Sequence, residues 1–163
     1  MYQDTFPPAT KLQHVRLDWR GLAVVEVGCN IGMLGDYALE RGAASYVGYD
    51  AKPAYITEGL RRRPHLALHV GRAEQADVAC DLLVALGVFH HMPDADVQAL
   101  LARTTAQAVL FEVPLSDKPF KTYRMRPRQW YDRAARAAGF TTCERFKYGF
   151  WYPVDREIFL WRR

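Results

Sequence analysis

The residues best placed to do chemistry are the run Glu26-Val27-Gly28-Cys29-Asn30-Ile31-Gly32 and the acid Asp50, which follows Gly32 by 18 positions. Gly28 permits a sharp turn directly after an apolar stretch. Gly32 can open a helix, whose first N–H groups lack intrahelical partners and so donate to a polar ligand. Asp50 closes a second apolar stretch, where a carboxylate can accept both hydroxyls of a ribose. A dinucleotide fits poorly, because G-x-G-x-x-G/A counted from Gly28 needs glycine where Asn30 and Met33 stand.

A second group is His90-His91. Histidine titrates near neutral pH and suits proton removal from a nucleophile; the competing role is structural, packing a loop or donating to backbone. Adjacent histidines without nearby acids do not make a metal site, and no metal is expected. Glu112 either hydrogen-bonds a substrate or is a helix-cap or loop partner. The aromatic run Tyr148-Gly149-Phe150-Trp151-Tyr152-Pro153 either stacks on a planar substrate or plugs a core edge. Between Lys118 and Arg136, the bases Lys118, Lys121, Arg124, Arg126, Arg128, Arg133 and Arg136 face a single acid, Asp132. That stretch, with Arg61-Arg62-Arg63, either steers anionic substrates or is solvated surface. Cys29, Cys80 and Cys143 are odd in number and far apart, which reads as buried free thiols rather than disulfides or a zinc site.

These residues need a scaffold, and 163 residues that are 50% hydrophobic, 25% charged and of net charge +4 suit one compact domain. No apolar run has the length of a membrane span, and the N-terminus has no signal-peptide stretch, so a cytoplasmic protein is expected. Short apolar runs alternate with amphipathic ones. Strands are expected at Ala23–Val27, Ser45–Tyr49, Leu66–Val70, Asp81–Leu86 and Ala108–Val113, with a last pair at Phe140–Lys147 and Arg156–Trp161. Helices are expected from Ile31 to Arg41, from Pro53 to about Arg62, after an N-cap at Asp94 with Val97, Leu100 and Leu101 on one face, and from Pro127, with Trp130, Ala134, Ala137 and Ala138 sharing a face up to Gly139. The sum is five β-α units and a terminal strand pair, a parallel sheet whose ligands bind beyond the carboxyl ends of its strands. Residues 21–163 are expected to form the core of the domain. Residues 1–20, including Tyr2, Phe6 and His14, are one candidate lid and Leu115–Arg126 the other. The open pocket this leaves suits a larger or polymeric substrate, or a homodimer in which a neighbour supplies the lid.

Four segments, in this order and spacing, resemble the class I, Rossmann-like S-adenosylmethionine-dependent methyltransferases. Glu26, Gly28, Asn30 and Gly32 match E/D-x-G-x-G-x-G, with Asn30 for the middle glycine as in the familiar GCNxG variant; Asn takes left-handed backbone angles more readily than most residues. VGYDAKP (Val47–Pro53) is similar to the ribose-binding strand end, and GRAEQ (Gly71–Gln75) sits where the family often has G-D-A-E. DLLVALGVFHHMPD (Asp81–Asp94) resembles the fourth strand and its loop, and RQWYDRAARAAGF (Arg128–Phe140) the helix and turn before the sixth strand.

The resemblance implies a single α/β domain with a seven-stranded, mostly parallel sheet in the order 3-2-1-4-5-7-6, strand 7 antiparallel and helices on both faces. It implies S-adenosylmethionine as cofactor and S-adenosylhomocysteine as product, held by Glu26, Gly28, Cys29, Asn30, Gly32, Asp50, Ala51, Arg72, Ala73, Glu74 and Gly87. Arg72 replaces the family's frequent acid at the adenine, so that contact passes to Glu74 or to the backbone at Ala73. His90 and His91, His90 foremost, are the candidate catalytic bases, and Arg124, Tyr148, Trp151 and Tyr152 the candidate substrate contacts. The implied activity (EC 2.1.1.-) is in-line methyl transfer to oxygen, nitrogen or carbon of a small molecule. The alternatives are an RNA methyltransferase using residues 118–136 and a non-catalytic member that binds cofactor or protein; the absence of an Asn/Asp-Pro-Pro-Tyr signature weighs against base N-methylation of DNA.

Overall fold

Strict alternation of buried side chains along the central strands divides the core into two layers. The structure, a computed structural model, describes residues 7–115, 124–151 and 154–163, with residues 148–151 and 154–155 described by backbone alone. In β4 (Leu82–Leu86), Leu82 and Val84 face one side while Leu83 and Ala85 face the other. In β5 (Ala108–Pro114), Ala108 and Leu110 oppose Val109, Phe111 and Val113. A strand covered on both faces must be apolar at every position, which is why these runs read as continuous rather than alternating.

The other strands are β1 (Ala23–Val27), β2 (Ser45–Asp50), β3 (Ala67–Val70), β6 (Thr142–Trp151) and β7 (Val154–Arg162). The sheet order is β3-β2-β1-β4-β5-β7-β6. Strands β1 to β5 pair in parallel, and β7 runs antiparallel to both neighbours. This is the order and orientation expected from the sequence. Helices α1 (Pro8–Leu12), α2 (Met33–Glu40) and α3 (Pro53–Arg62) cover one face through Leu12, Leu34, Ala38 and Ile56. Helices α4 (Asp94–Arg103) and α5 (Arg128–Ala137) cover the other through Val97, Leu100, Leu101, Tyr131, Ala134 and Ala135. Among the described residues no helix is long and apolar enough to cross a membrane.

Five local expectations change. The segment after β3 forms a 3-10 turn, Ala73–Gln75, instead of completing a β-α unit. Arg103 of α4 fastens that turn by donating to the carbonyls of Ala73 (2.8 Å) and Ala76 (2.7 Å). Asp94 is the first residue of α4 rather than its cap, which is Pro93; its carboxylate is taken by Arg126 instead. Helix α5 buries Tyr131, Ala134 and Ala135 and leaves Ala137 exposed, while partly buried Trp130 lies under the Arg126 guanidinium. The aromatic run expected as a loop is mostly strand: β6 continues to Trp151 and β7 begins at Val154, with a register shift between Lys147 and Phe150 that accommodates Tyr148-Gly149. Finally, the N-terminal segment carries a helix, α1, and anchors itself through buried Leu12 and Trp19, the latter edge-on to Tyr37. His14 is exposed; Tyr2, Phe6 and most of the Leu115–Arg126 lid candidate lie outside the described residues.

Candidate functional site

The turn after β1 is left-handed at three points: Gly28 (φ 72°), Asn30 (φ 53°) and Gly32 (φ 78°). Among the described residues, Asn30 is the non-glycine residue that adopts this conformation, as its substitution for a glycine requires. The N–H groups of Gly28 and Cys29 both donate to the Tyr49 carbonyl (2.7 and 3.0 Å), pinning the turn to the end of β2. A Cβ on Gly28 would lie 2.1 Å from Val88 Cγ2, so only glycine lets the turn meet the loop after β4. Gly32 has a different task. It is buried under β3, where a Cβ would crowd Leu68 and Leu66 at 3.0 and 3.1 Å.

The Asp50 carboxylate is held from both sides. Asn30 N–H donates to Oδ2 and Lys52 N–H to Oδ1, each at 2.9 Å. Each oxygen keeps a second lone-pair site, so the group is oriented and can still accept from a ligand. Glu26 is buried, and its Oε2 accepts from Tyr46 Oη at 2.5 Å. Burial pushes its carboxyl up to about 8, against the opposing pull of the Tyr46 hydroxyl and of Lys11. Burial likewise pushes the Cys29 thiol up, away from thiolate chemistry.

These groups share a cleft of about 670 Å³ at the carboxyl ends of the strands. Glu26, Gly28, Cys29 and Asn30 form one wall, with Asp50 and Ala51 beside them. Arg72, Ala73 and Glu74 form the far end, and Gly87 and His91 the near one. Gly32 and His90 are not on the wall. Arg72 is paired with Glu74, and its N–H donates to Gln75 Oε1, so the residue that departs from the family pattern is committed to its own turn.

Beyond Gly87 the chain builds a different kind of site. Phe89–His91 form a 3-10 turn clamped by Arg126. The Arg126 guanidinium is buried, donates to the carbonyls of Phe89 (2.8 Å) and Met92 (2.6 Å), and pairs with Asp94 at 2.8 Å. Arg124 adds its N–H to the His90 carbonyl (2.9 Å) and Nη1 to the His91 carbonyl (3.4 Å). His90 is buried. Burial pushes it down to about 3, reinforced by His91, Arg156, Arg126 and Lys11, so at neutral pH it carries no proton charge and is a weak base. His91, its ring 4.1 Å from that of His90, lines the cleft and is also held below the usual histidine range, by burial and then by Lys52 and Arg156.

Glu112 is fully buried at the end of β5. Lys11 Nζ donates to its Oε2 at 2.9 Å and Arg156 Nη1 to its Oε1 at 2.6 Å. It is therefore the hub of an ion network rather than a helix cap. Among the described bases of the stretch, Arg126 is buried, Arg128 pairs with Glu157, and Arg136 lies over the Trp161 ring. Arg124 and Arg133 are exposed, while Lys118, Lys121, Tyr152 and the side chains of Tyr148 and Trp151 lie outside the described residues. Lys11, Arg126 and Arg156 escaped the reading of the sequence as site residues. No local spacing marks them, since their partners are 101, 37 and 44 positions away.

A family model described as a methyltransferase domain matches residues 25–108, just over half of the chain. No curated protein matches the sequence. Solved structures match it closely in shape. Magnesium protoporphyrin IX methyltransferase from Synechocystis PCC 6803, with bound S-adenosylmethionine, is 16% identical with a TM-score of 0.74, covering 90% of this chain and 72% of that one. An S-adenosylmethionine-dependent methyltransferase from Mesorhizobium loti is 14% identical with a TM-score of 0.75, covering 93% and 95%. One from Leishmania major is 15% identical with a TM-score of 0.74, covering 94% and 70%. At such identities the likeness establishes the fold.

Proposed function

The chain belongs to the methyltransferase-domain family, and we propose that it is an S-adenosylmethionine-dependent methyltransferase acting on an oxygen, nitrogen or carbon nucleophile of a small molecule. The observation that carries this reading is the pair of carboxyl groups, Glu26 and Asp50, set on either side of the left-handed turn in one cleft. The residues suit the cofactor's groups: Asp50 offers oriented acceptors for ribose hydroxyls, and Glu26 a carboxyl for an ammonium. The Synechocystis neighbour, solved with S-adenosylmethionine and with S-adenosylhomocysteine, holds its cofactor on the same fold.

When bound, the cofactor supplies a methyl group already activated on a sulfonium sulfur. The chain's task is then alignment, worth ~7–11 kcal/mol when reacting atoms are held in a near-attack geometry. Asp50 fixes the ribose end, tied in turn by the Asn30 and Lys52 N–H groups. Glu26 receives the ammonium, whose positive charge draws its carboxyl toward the ionised form. The Arg72–Glu74 turn closes the adenine end. Gly87 and His91 face the acceptor, so His91 is the histidine placed to touch it, while His90 supports the turn from behind. Burial holds both histidines below the usual range, which favours their neutral form.

The test is label transfer from methyl-labelled S-adenosylmethionine into a metabolite extract and into total RNA, with wild type and Asp50→Ala side by side. Label entering the small-molecule fraction, and lost with Asp50→Ala, is the expected result. Label in RNA moves the acceptor to nucleic acid, and no transfer to either contradicts the enzyme.

A further inference from the structure

Among the described residues the sheet ends in two open edges, β6 on one side and β3 on the other. An edge strand presents unpaired N–H and C=O groups to any strand that reaches it, and charged side chains keep such strands away. β6 carries that protection: Glu144, Arg145 and Lys147 are all exposed. β3, with the sequence Ala67-Leu68-His69-Val70, has no acid, lysine or arginine. Gly71 N–H donates to the Asp50 carbonyl of β2 at 2.9 Å. By the strand's period of two, His69 also faces β2, while Leu68 and Val70 turn their N–H and C=O groups to the open side. Around this edge lie the exposed large apolar side chains of the described residues, Val70 (55%) and Leu60 (39%). Leu60 follows Gly59, where α3 closes on β3: a Cβ placed there would stand 2.7 Å from Leu68 Cδ1. On the other face no helix follows β3 to cover it, only a 3-10 turn. Ala67 and His69 therefore stay exposed, His69 with its ring 5.3 Å from that of Tyr49.

We propose that a second copy of this chain pairs its β3 with this one, antiparallel across a two-fold axis, so that the two sheets run on as one and the protein is a dimer. The proposal does not depend on the methyl-transfer reading. A two-fold axis sets a strand against its own inverted copy, the pairing in which outward N–H and C=O groups exchange bonds directly. Leu68 and Val70 supply those groups from each copy. With no Asp, Glu, Lys or Arg in the strand, no register sets like charges opposite one another. Arg145 and Lys147, by contrast, share one face of β6, so the same pairing centred on them brings positive charges together. Four residues make a short strand pair, and apolar surface beside it completes the contact. Val70 shares the Leu68 face, the one that α3 covers, so Val70 and Leu60 border the join on the same side. The pairing uses up the neutral edge and leaves only charged β6 outermost, so assembly stops at two copies. β2 and β1 stand between β3 and β4 in the sheet. The partner therefore flanks the Arg72–Glu74 end of the cleft rather than the histidine turn, and does not supply the acceptor's lid.

The test is sedimentation equilibrium of the full chain across a concentration series. Wild type is expected to have the mass of two chains and to dissociate on dilution. Val70→Lys gives β3 the protection that β6 already has, and is expected to halve the mass. Circular dichroism checks that this variant is folded. Leu60→Glu, at an exposed position on α3, is expected to weaken the dimer and keeps the test alive should Val70→Lys not fold. Thr142→Lys, the same kind of change on the opposite edge, is expected to leave the dimer intact. Hydrogen exchange gives a readout that a folding defect would not mimic: the Leu68 and Val70 amides should exchange slowly in the dimer and fast once wild type is diluted. A wild type that is a single chain at every concentration overturns the proposal. So does a dimer that survives both Val70→Lys and Leu60→Glu, a dimer that Thr142→Lys dissociates as readily, or an assembly larger than two.

Discussion

The two halves of the cleft are built by different means. The half around Glu26–Asp50 is held by backbone: a turn with three left-handed residues, two N–H groups on one carbonyl, and two more on one carboxylate. The half around Gly87–Met92 is held by long side chains arriving from far along the chain, with Arg126 on the histidine turn and Lys11 and Arg156 on Glu112. Backbone cradles tolerate few sequences and bind one ligand well. Side-chain frames change one residue at a time.

The largest expected effect falls on the backbone half. Gly28→Ala places a Cβ 2.1 Å from Val88 Cγ2 and forces alanine into a positive φ. Strain of ~1–2 kcal/mol and overpacking of ~1–3 kcal/mol add to a loss of about 2–5 kcal/mol, read by chemical denaturation. Adding Val88→Ala restores the packing share but not the strain. Arg126→Met is expected to cost about 2–4 kcal/mol by leaving the Phe89 and Met92 carbonyls without their donor, while S-adenosylhomocysteine affinity changes less than about threefold. Loss of cofactor binding in that variant would break the division into halves.

Glu26 gives a smaller, pH-dependent effect. Its folded carboxyl lies near 8 against 4.5 for the ordinary group, so between those values the folded state binds more protons than the unfolded one. Its contribution to stability is complete below the lower value and declines as pH rises through the window. Glu26→Gln lacks this slope, so the stability difference between wild type and variant should shift against wild type from pH 5 to pH 8. Binding of the cofactor's ammonium should release a proton from Glu26 below pH 8, detectable by calorimetry in buffers of different ionisation enthalpy. No buffer dependence would remove Glu26 from the ammonium site.

The same division explains what the sequence disclosed. The strands, the turn and Asp50 were legible because glycine spacing, an Asn tolerant of left-handed angles and continuous apolar runs are local signals, whereas the strand order came from the family resemblance. Gly32 was legible as a motif but not in its role, since its neighbours are Leu68 on β3 and Leu66 just before it. His90 and His91 stood side by side in the sequence, yet only the fold separates a buried histidine from one on the cleft wall. Arg126 looked like one more member of a basic stretch, because nothing near it announces that its partners are the carbonyls of a turn 34 to 37 residues earlier. The 3-10 turn after β3 was missed for a related reason: its support is Arg103, on the next helix.

The central claim, that the turn and Asp50 form a cofactor site, is tested most directly by calorimetric titration of S-adenosylhomocysteine into wild type and Asp50→Ala. One site is expected in the wild type and about a hundredfold weaker binding in the variant, the loss of two hydrogen bonds to a charged group. No binding to the wild type, or equal binding to both proteins, would contradict it.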